Sequence, residues 1–208
     1  MAVISAYKTD TGLVSRHNQD YVWVDDRKGV FVVADGMGGH EAGDVASRMA
    51  AGTVGEEIVA GLAGHPVEAA ALKTLLAGAI EIANQKVWAA SGEAAQKRRM
   101  GATIVLAVIQ PPLAYIAHAG DARAYMIRDN AITRLTEDDS WVAHLLSSGL
   151  IAEGDAMRNR LSHVITKAIG QDGPVEPTVS DVAVKPGDWL LLCSDGLWNM
   201  VSDEEILT

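Results

Sequence analysis

An apolar stretch that ends at an acidic residue constrains this chain more than any other feature. Residues Val30 to Ala34 are apolar and predict a buried strand, and Asp35 follows them with a glycine-rich turn directly behind it. An ionised carboxylate at the end of a buried strand is unfavourable unless something compensates its charge. The sequence therefore predicts a fold arranged around Asp35 and around a partner for that acid.

The same pattern occurs twice more along the chain. Leu113 to Ala119 is followed by Gly120 and Asp121, and Trp189 to Cys193 is followed by Ser194, Asp195 and Gly196. A single Asp-Gly pair after a strand is typical of a turn. Three strands that each deliver an acid beside a glycine favour convergence on one cation site, because hard divalent cations bind clustered oxygen ligands.

Length and composition limit the classes of protein. A chain of 208 residues predicts one domain, 1–208, large enough to bury a core. No stretch approaches ~18 consecutive apolar residues, so a membrane span is not expected. The first residues lack a basic start and a long apolar block, which predicts no secretory signal and a cytoplasmic location. The net charge of −10 argues against a nucleic-acid surface and fits either a metal-binding acid cluster or a solubilising surface.

The chain contains one cysteine, Cys193, which cannot form an internal disulfide. This agrees with a reducing compartment. Because Cys193 lies in the apolar run before Ser194, the sequence predicts a small core residue rather than a nucleophile.

Hydrophobic spacing predicts helices grouped apart from antiparallel strands, which is typical of an α+β layered fold. One helix is expected from Ala42 and a second from Val67, with an apolar stripe of Leu72, Leu75, Leu76, Ala79, Ile82, Ala83 and Val87. The predicted later elements are a meander of strands at Thr103 to Ile109, Leu113 to Ala119, Ala124 to Ile127 and Ala131 to Leu135, a helix at Trp141 to Ser148, and strands at Thr178 to Val184 and Trp189 to Cys193. Residues 93–99 predict a solvated connector and residues 151–162 a flap.

Arg16 is the strongly basic residue closest in sequence to the first acids. A guanidinium group matches the oxygens of a phosphate in geometry and charge. A surface ion pair is the alternative interpretation, and the residues alone leave both open.

Six ordered segments together resemble one known family. They are Arg16-His17-Asn18-Gln19-Asp20, Ala34-Asp35-Gly36-Met37-Gly38-Gly39-His40, Gly101-Ala102-Thr103, Ala119-Gly120-Asp121-Ala122-Arg123, Leu135-Thr136-Glu137-Asp138-Asp139-Ser140 and Cys193-Ser194-Asp195-Gly196-Leu197. In order and spacing they are similar to the metal-dependent Ser/Thr protein phosphatases of the PPM (type 2C) family, and most similar to its compact bacterial members. The resemblance implies a four-layer αββα sandwich, two antiparallel sheets with a helix pair on each outer face.

The resemblance also implies a set of metal ligands for two Mn²⁺ or Mg²⁺ ions. Asp35 would bridge the two ions and Gly36 would supply its backbone carbonyl. Asp20 would act partly through water, and Asp195 would belong to the same cluster. Asp121 is similar to the acid that helps to hold a third, weaker ion in bacterial members.

The implied activity is hydrolysis of phosphoserine and phosphothreonine in proteins by a metal-bridging hydroxide, opposing a bacterial Ser/Thr kinase. Arg16 matches the phosphate-binding arginine. His40 lies where a general acid for the leaving alcohol would come from, and the alternative for it is an orienting or purely structural role.

Two departures from the family pattern support a competing hypothesis. Asp138-Asp139-Ser140 stands where the family has Asp-His-Ser, and the sequence stops at Thr208, before the family's last helix and a last strand with an Asp-Asn pair. A missing ligand and an unpaired strand edge would follow if the chain ends there. The alternative is a catalytically impaired binding or regulatory module of the same fold. A nucleotide-binding loop is not supported, since no Lys-Ser/Thr follows the glycines, and the acids lack EF-hand spacing.

Overall fold

The computed structural model describes residues 3–38, 41–63, 67–92, 100–151 and 164–208. Its strands are β1 (Asp20–Asp25), β2 (Val30–Met37), β3 (Gly101–Gln110), β4 (Leu113–Ala119), β5 (Arg123–Arg128), β6 (Ala131–Arg134), β7 (Thr178–Ala183) and β8 (Trp189–Cys193). Its helices are α1 (Glu41–Gly61), α2 (Ala69–Ala90), α3 (Trp141–Ser147), α4 (Asp195–Trp198) and α5 (Asp203–Leu207). The predicted connector at 93–99 and all but Ile151 of the predicted flap lie outside the described residues.

The strands form two antiparallel sheets, which confirms the predicted α+β sandwich. Within the described ranges, the first sheet has the order β1-β2-β3-β4-β7 and the second the order β6-β5-β8. The prediction of one continuous meander was wrong. The chain leaves the first sheet after β4 and enters the second at β5, and the intervening Gly120 has a φ of 110°, which favours glycine.

Helices α1 and α2 pack beside each other on the outer face of the first sheet. They contribute small and apolar residues to the core, including Ala46, Ala50 and Ile80, which are fully buried. The predicted stripe on α2 is correct except at one position. Ile82 is exposed, while Ile80, two residues earlier, takes its place in the core.

The central strand β2 is covered on both faces, which explains its continuous apolar run. Val30, Val32 and Ala34 are buried under the helices, and the alternate residues, such as Val33, face the second sheet. The strand was predicted to end at Asp35, but it continues for two more residues. Gly101 of β3 pairs with Met37 and so extends the β2–β3 pairing. Asp35 therefore belongs to the face that lies between the two sheets.

No helix in the described parts of the chain is long and apolar enough to cross a bilayer.

Two glycines of α1 give a matched test of how the helix seats on β1. A Cβ added to Gly55 would come within 2.3 Å of the Trp23 indole, whereas nothing lies within 4 Å of a Cβ added to Gly52. We expect Gly55→Ala to lower the free energy of unfolding by roughly 1–3 kcal/mol, because the indole must move. Gly52→Ala should raise it by about 0.5–1 kcal/mol, since alanine favours a helix interior. Urea titrations of both variants measure the difference, and two equal values would contradict this packing.

Candidate metal centre

A row of side chains crosses the first sheet at one end and faces the second sheet. Asp20 of β1 pairs with Asp35 of β2, and Asp35 pairs with Thr103 of β3. Residues directly opposite in neighbouring antiparallel strands point to the same face. Strand register alone therefore places two carboxylates and one hydroxyl side by side.

The second sheet contributes a third acid to this row. Asp195 begins α4, directly after β8, and its carboxyl group is in hydrogen-bonding contact with that of Asp35. Asp35 is in similar contact with Asp20. The preceding Ser194 donates a hydrogen bond of 2.8 Å from its hydroxyl to the Asp20 carboxylate. Three acids separated widely along the chain thus meet between the two sheets.

The electrostatics of these acids show that their negative charge is poorly compensated. Burial first, and then the charges of Asp20, Asp195 and Asp121, together raise the pKa of Asp35 to about 8. Burial also raises the pKa of Asp20, although the hydrogen bond from Ser194 opposes the shift. A bound cation would oppose both shifts, because its positive charge favours the ionised carboxylates and offsets their mutual repulsion.

Asp121 lies beside this cluster, on the turn that joins the two sheets. Burial first, and then the charges of Asp195 and Asp138, together raise its pKa to about 6. Asp139 holds the turn: its carboxylate accepts a 3.1 Å bond from the Gly120 amide, and its own amide donates to the Gly120 carbonyl at 2.9 Å. The other oxygen of Asp139 pairs with Lys167 at 2.8 Å. Asp139, the residue that departs from the family pattern, therefore stabilises the turn that carries Asp121.

Position 36 has no room for a side chain and therefore requires glycine. A Cβ there would lie 1.9 Å from the Gly43 carbonyl oxygen and 2.8 Å from that of Gln19. Gly36 also donates its amide to the Gln19 carbonyl at 3.0 Å. The backbone at Gly36 therefore packs directly against the backbone at Gln19 and at Gly43 in α1, next to Asp35. Only glycine at position 36 allows this packing.

The remaining predicted residues are placed as follows. Arg16 is exposed in the segment that precedes β1. His40 lies outside the described residues. Cys193 is buried, and burial raises the pKa of its thiol to about 12, so it stays protonated and is a poor nucleophile at neutral pH.

The donor set fits a divalent cation. It consists of carboxylate oxygens, the ligands that Mg²⁺ and Mn²⁺ prefer. Among the described side chains, no group of three or more His, Cys, Asp or Glu encloses an ion by itself. The acids instead touch one another, so a complete coordination shell would also need backbone oxygens, water or a phosphate. Such a shell leaves positions open for a substrate.

Three residues of the site were not predicted from sequence. Ser194 could have been suspected, since it precedes Asp195 in the same motif. Thr103 belongs to the Gly101-Ala102-Thr103 motif, but no feature of the local sequence indicates that it faces Asp35. Asp139 stood out only as a departure from the family pattern, and its role could not be predicted because its contacts with Gly120 and Lys167 are set by tertiary structure.

Comparisons with known proteins agree on one family. The model of the family described as Protein phosphatase 2C matches residues 14–208. The chain is 37% identical to the serine/threonine phosphatase stp of Listeria monocytogenes over 206 residues, 96% of this chain and 80% of that protein. It superposes on the structure of the S. agalactiae serine/threonine phosphatase with a TM-score of 0.86, at 33% identity, covering 96% of this chain and 82% of that one.

A second solved structure carries metal. The catalytic domain of the serine threonine protein phosphatase PstP, in complex with 2 manganese ions, superposes with a TM-score of 0.79 at 33% identity. The match covers 96% of this chain and 80% of that chain.

Replacing Asp35 tests whether its burial beside other acids destabilises the fold. In chelator at pH 7, we expect Asp35→Asn to raise the free energy of unfolding by about 1 kcal/mol or more, because one buried carboxylate is removed. The native pKa of Asp35, about 8, exceeds its ordinary value of 3.8, so the folded state binds more protons between these values. Stability of the parent protein should therefore fall as pH rises through this window, and the variant should lack that loss.

Thermal unfolding with and without Mn²⁺ completes this test. Mn²⁺ should raise the unfolding midpoint of the parent protein and raise that of Asp35→Asn far less. Asp172→Asn, at an exposed position, is the control and should respond as the parent does. A destabilised Asp35→Asn in chelator would contradict a destabilising effect of Asp35 on the metal-free fold.

Proposed function

Because this chain belongs to the protein phosphatase 2C family and is a serine/threonine phosphatase, we propose that its acid cluster carries the hydrolysis of phosphoserine and phosphothreonine in proteins. One observation supports this most strongly. Asp35 is in hydrogen-bonding contact with Asp20 and with Asp195, which come from different sheets, although the charges of these acids repel. The alternative of a catalytically impaired binding module is not favoured, since the cluster is assembled and the similar proteins are named as phosphatases.

We propose two divalent ions as cofactors, held by Asp20, Asp35, Asp195 and the backbone carbonyl of Gly36. The PstP structure in complex with 2 manganese ions supports this number. Titration of the protein with each ion would distinguish Mn²⁺ from Mg²⁺. When bound, such ions neutralise phosphoryl oxygens and lower the pKa of water to a range in which it becomes a strong nucleophile. Asp121, held beside the cluster by Asp139, is proposed as a ligand of a third ion.

The chain's own groups determine the rest of the reaction. The carboxylates hold and orient the ligands and need not attack, so no covalent intermediate with the protein is required. The protonated thiol of Cys193 is consistent with this. Arg16 is proposed to bind the phosphate through its guanidinium group, and His40 to donate a proton to the leaving alcohol.

The proposed partners are phosphorylated proteins, either a Ser/Thr kinase or its targets. Exclusion of nucleic acid follows from the net charge of −10, which would repel a phosphate backbone. A cytoplasmic location is proposed from the single buried cysteine, which suits a reducing compartment.

Hydrolysis of a phosphothreonine peptide tests the proposal. We expect activity with Mn²⁺, none with excess chelator, and a loss of at least about 100-fold in kcat for Asp35→Asn, because the central carboxylate is removed. Cys193→Ala should retain activity, which separates this mechanism from a thiol nucleophile. Activity that survives both chelator and Asp35→Asn would refute the role of the cluster. A protein that binds Mn²⁺ without any hydrolysis would favour the binding module.

Substitution of Arg16 tests phosphate binding. Loss of a charged hydrogen bond of roughly 1.5–3 kcal/mol predicts that Arg16→Ala lowers kcat/KM about 10- to 100-fold, mainly through KM. Mn²⁺ binding, followed by thermal shift, should be unchanged. Arg27→Ala, at an exposed turn before β2, is the matched control and should be silent. Equal kinetics of the two variants would show that Arg16 forms only surface contacts.

A further inference from the structure

The hydroxyl of Thr103 is buried and has no hydrogen-bond partner among the described residues. The residue is only 2% exposed. Two other buried hydroxyls are satisfied: Thr136 accepts from the Ala124 amide at 3.1 Å, and Ser194 donates to Asp20. A buried polar group without a partner is unfavourable and rare in folded proteins. This hydroxyl therefore requires a partner that the described residues, in their present positions, do not supply.

Register places that hydroxyl at the acid cluster. Thr103 is directly opposite Asp35 in the β2–β3 ladder, on the face that carries Asp20. The Cβ atoms of such a pair lie about 4.5–5.5 Å apart. A hydroxyl at this separation reaches a carboxylate oxygen of Asp35, or a water bound next to it, after a small adjustment.

The methyl group of Thr103 limits how the side chain can turn. A Cβ added to Gly120 would lie 2.6 Å from the Thr103 Cβ and 2.7 Å from its Cγ2, so the turn before Asp121 packs closely against the methyl branch. Threonine has few χ1 rotamers, and this contact restricts them further. Thr103 is thus fixed on one side by the Gly120 turn and left with a free hydroxyl.

We propose that Thr103 is a positioning residue for the cation site, whose hydroxyl donates a hydrogen bond to an oxygen ligand, either the Asp35 carboxylate or a water, of an ion bound at Asp35. This inference rests on the proposed cation site and extends it to a residue outside the ligand set. An ionised Asp35 needs donors as well as cations, and Thr103 is the donor that β3 presents to it. Hydrogen bonds to metal ligands fix their orientation and raise metal affinity.

Two substitutions separate the hydroxyl from the methyl group. Thr103→Val keeps the shape and removes the hydroxyl, and Thr103→Ser keeps the hydroxyl and removes the methyl. In chelator, Thr103→Val should unfold at the parent temperature or a few degrees above it, because an unsatisfied hydroxyl is lost. Calorimetric titration should nevertheless show a Mn²⁺ Kd raised roughly 10- to 100-fold. Thr103→Ser should unfold at a lower temperature and bind Mn²⁺ within about threefold of the parent.

A Thr103→Val variant that keeps its stability but loses Mn²⁺ affinity distinguishes a positioning role from a packing role. A purely structural Thr103 predicts that Thr103→Val is destabilised in chelator, and that result would overturn the inference. Unchanged Mn²⁺ affinity in Thr103→Val would overturn it as well. If the parent protein itself binds no Mn²⁺, the proposed cation site fails, and this inference fails with it. Parent binding together with unchanged binding in Thr103→Val removes only the role of Thr103.

Discussion

Mutual repulsion between buried carboxylates is the constraint on which the rest of this structure depends. Asp20, Asp35 and Asp195 are in contact between two sheets, and burial together with like charge raises the pKa of Asp35 to about 8. A chain selected for stability alone would separate these acids or replace one of them. The arrangement persists because strand pairing and backbone packing on both sides hold the acids in place. Such strain at a site is characteristic of function.

Strand register is what holds Asp35 in the space between the sheets. A slip of one residue would turn Asp35 towards the helices and bring Ala34 into the site. The apolar pattern of β2 does not prevent such a slip, because both of its faces are covered. Close backbone contacts do prevent it: a Cβ at Gly36 would meet Gly43, and one at Gly101 would lie 2.8 Å from the Ile169 carbonyl oxygen. Any other residue brought to these positions by a slip would clash.

The sequence predicted the elements well because hydrophobic period and turn residues are local. β4 and β8 have the predicted bounds, and the acids of the motifs are together as expected. The division of the predicted meander between two sheets was missed. The sequence around Gly120 indicates a turn, but it does not indicate whether the next strand pairs with β4 or joins the other sheet. Thr103 and Asp139 were missed for a related reason. Their significance lies in what opposes them in space, Asp35 for one and Gly120 for the other.

The acids from the second sheet depend on a connected set of side chains. Arg123 of β5 forms a two-pronged ion pair with Asp138, at 2.9 and 2.7 Å, and its guanidinium lies 3.5 Å from the centroid of the Trp198 ring. Trp198 closes the helix that Asp195 begins. Asp138 adjoins Asp139, the residue that holds the Gly120 turn. Arg123 is therefore placed to fix Asp195 through one neighbour and Asp121 through the other. Since a planar guanidinium can both stack and pair in this way and an ammonium cannot, lysine would not be an equivalent replacement there.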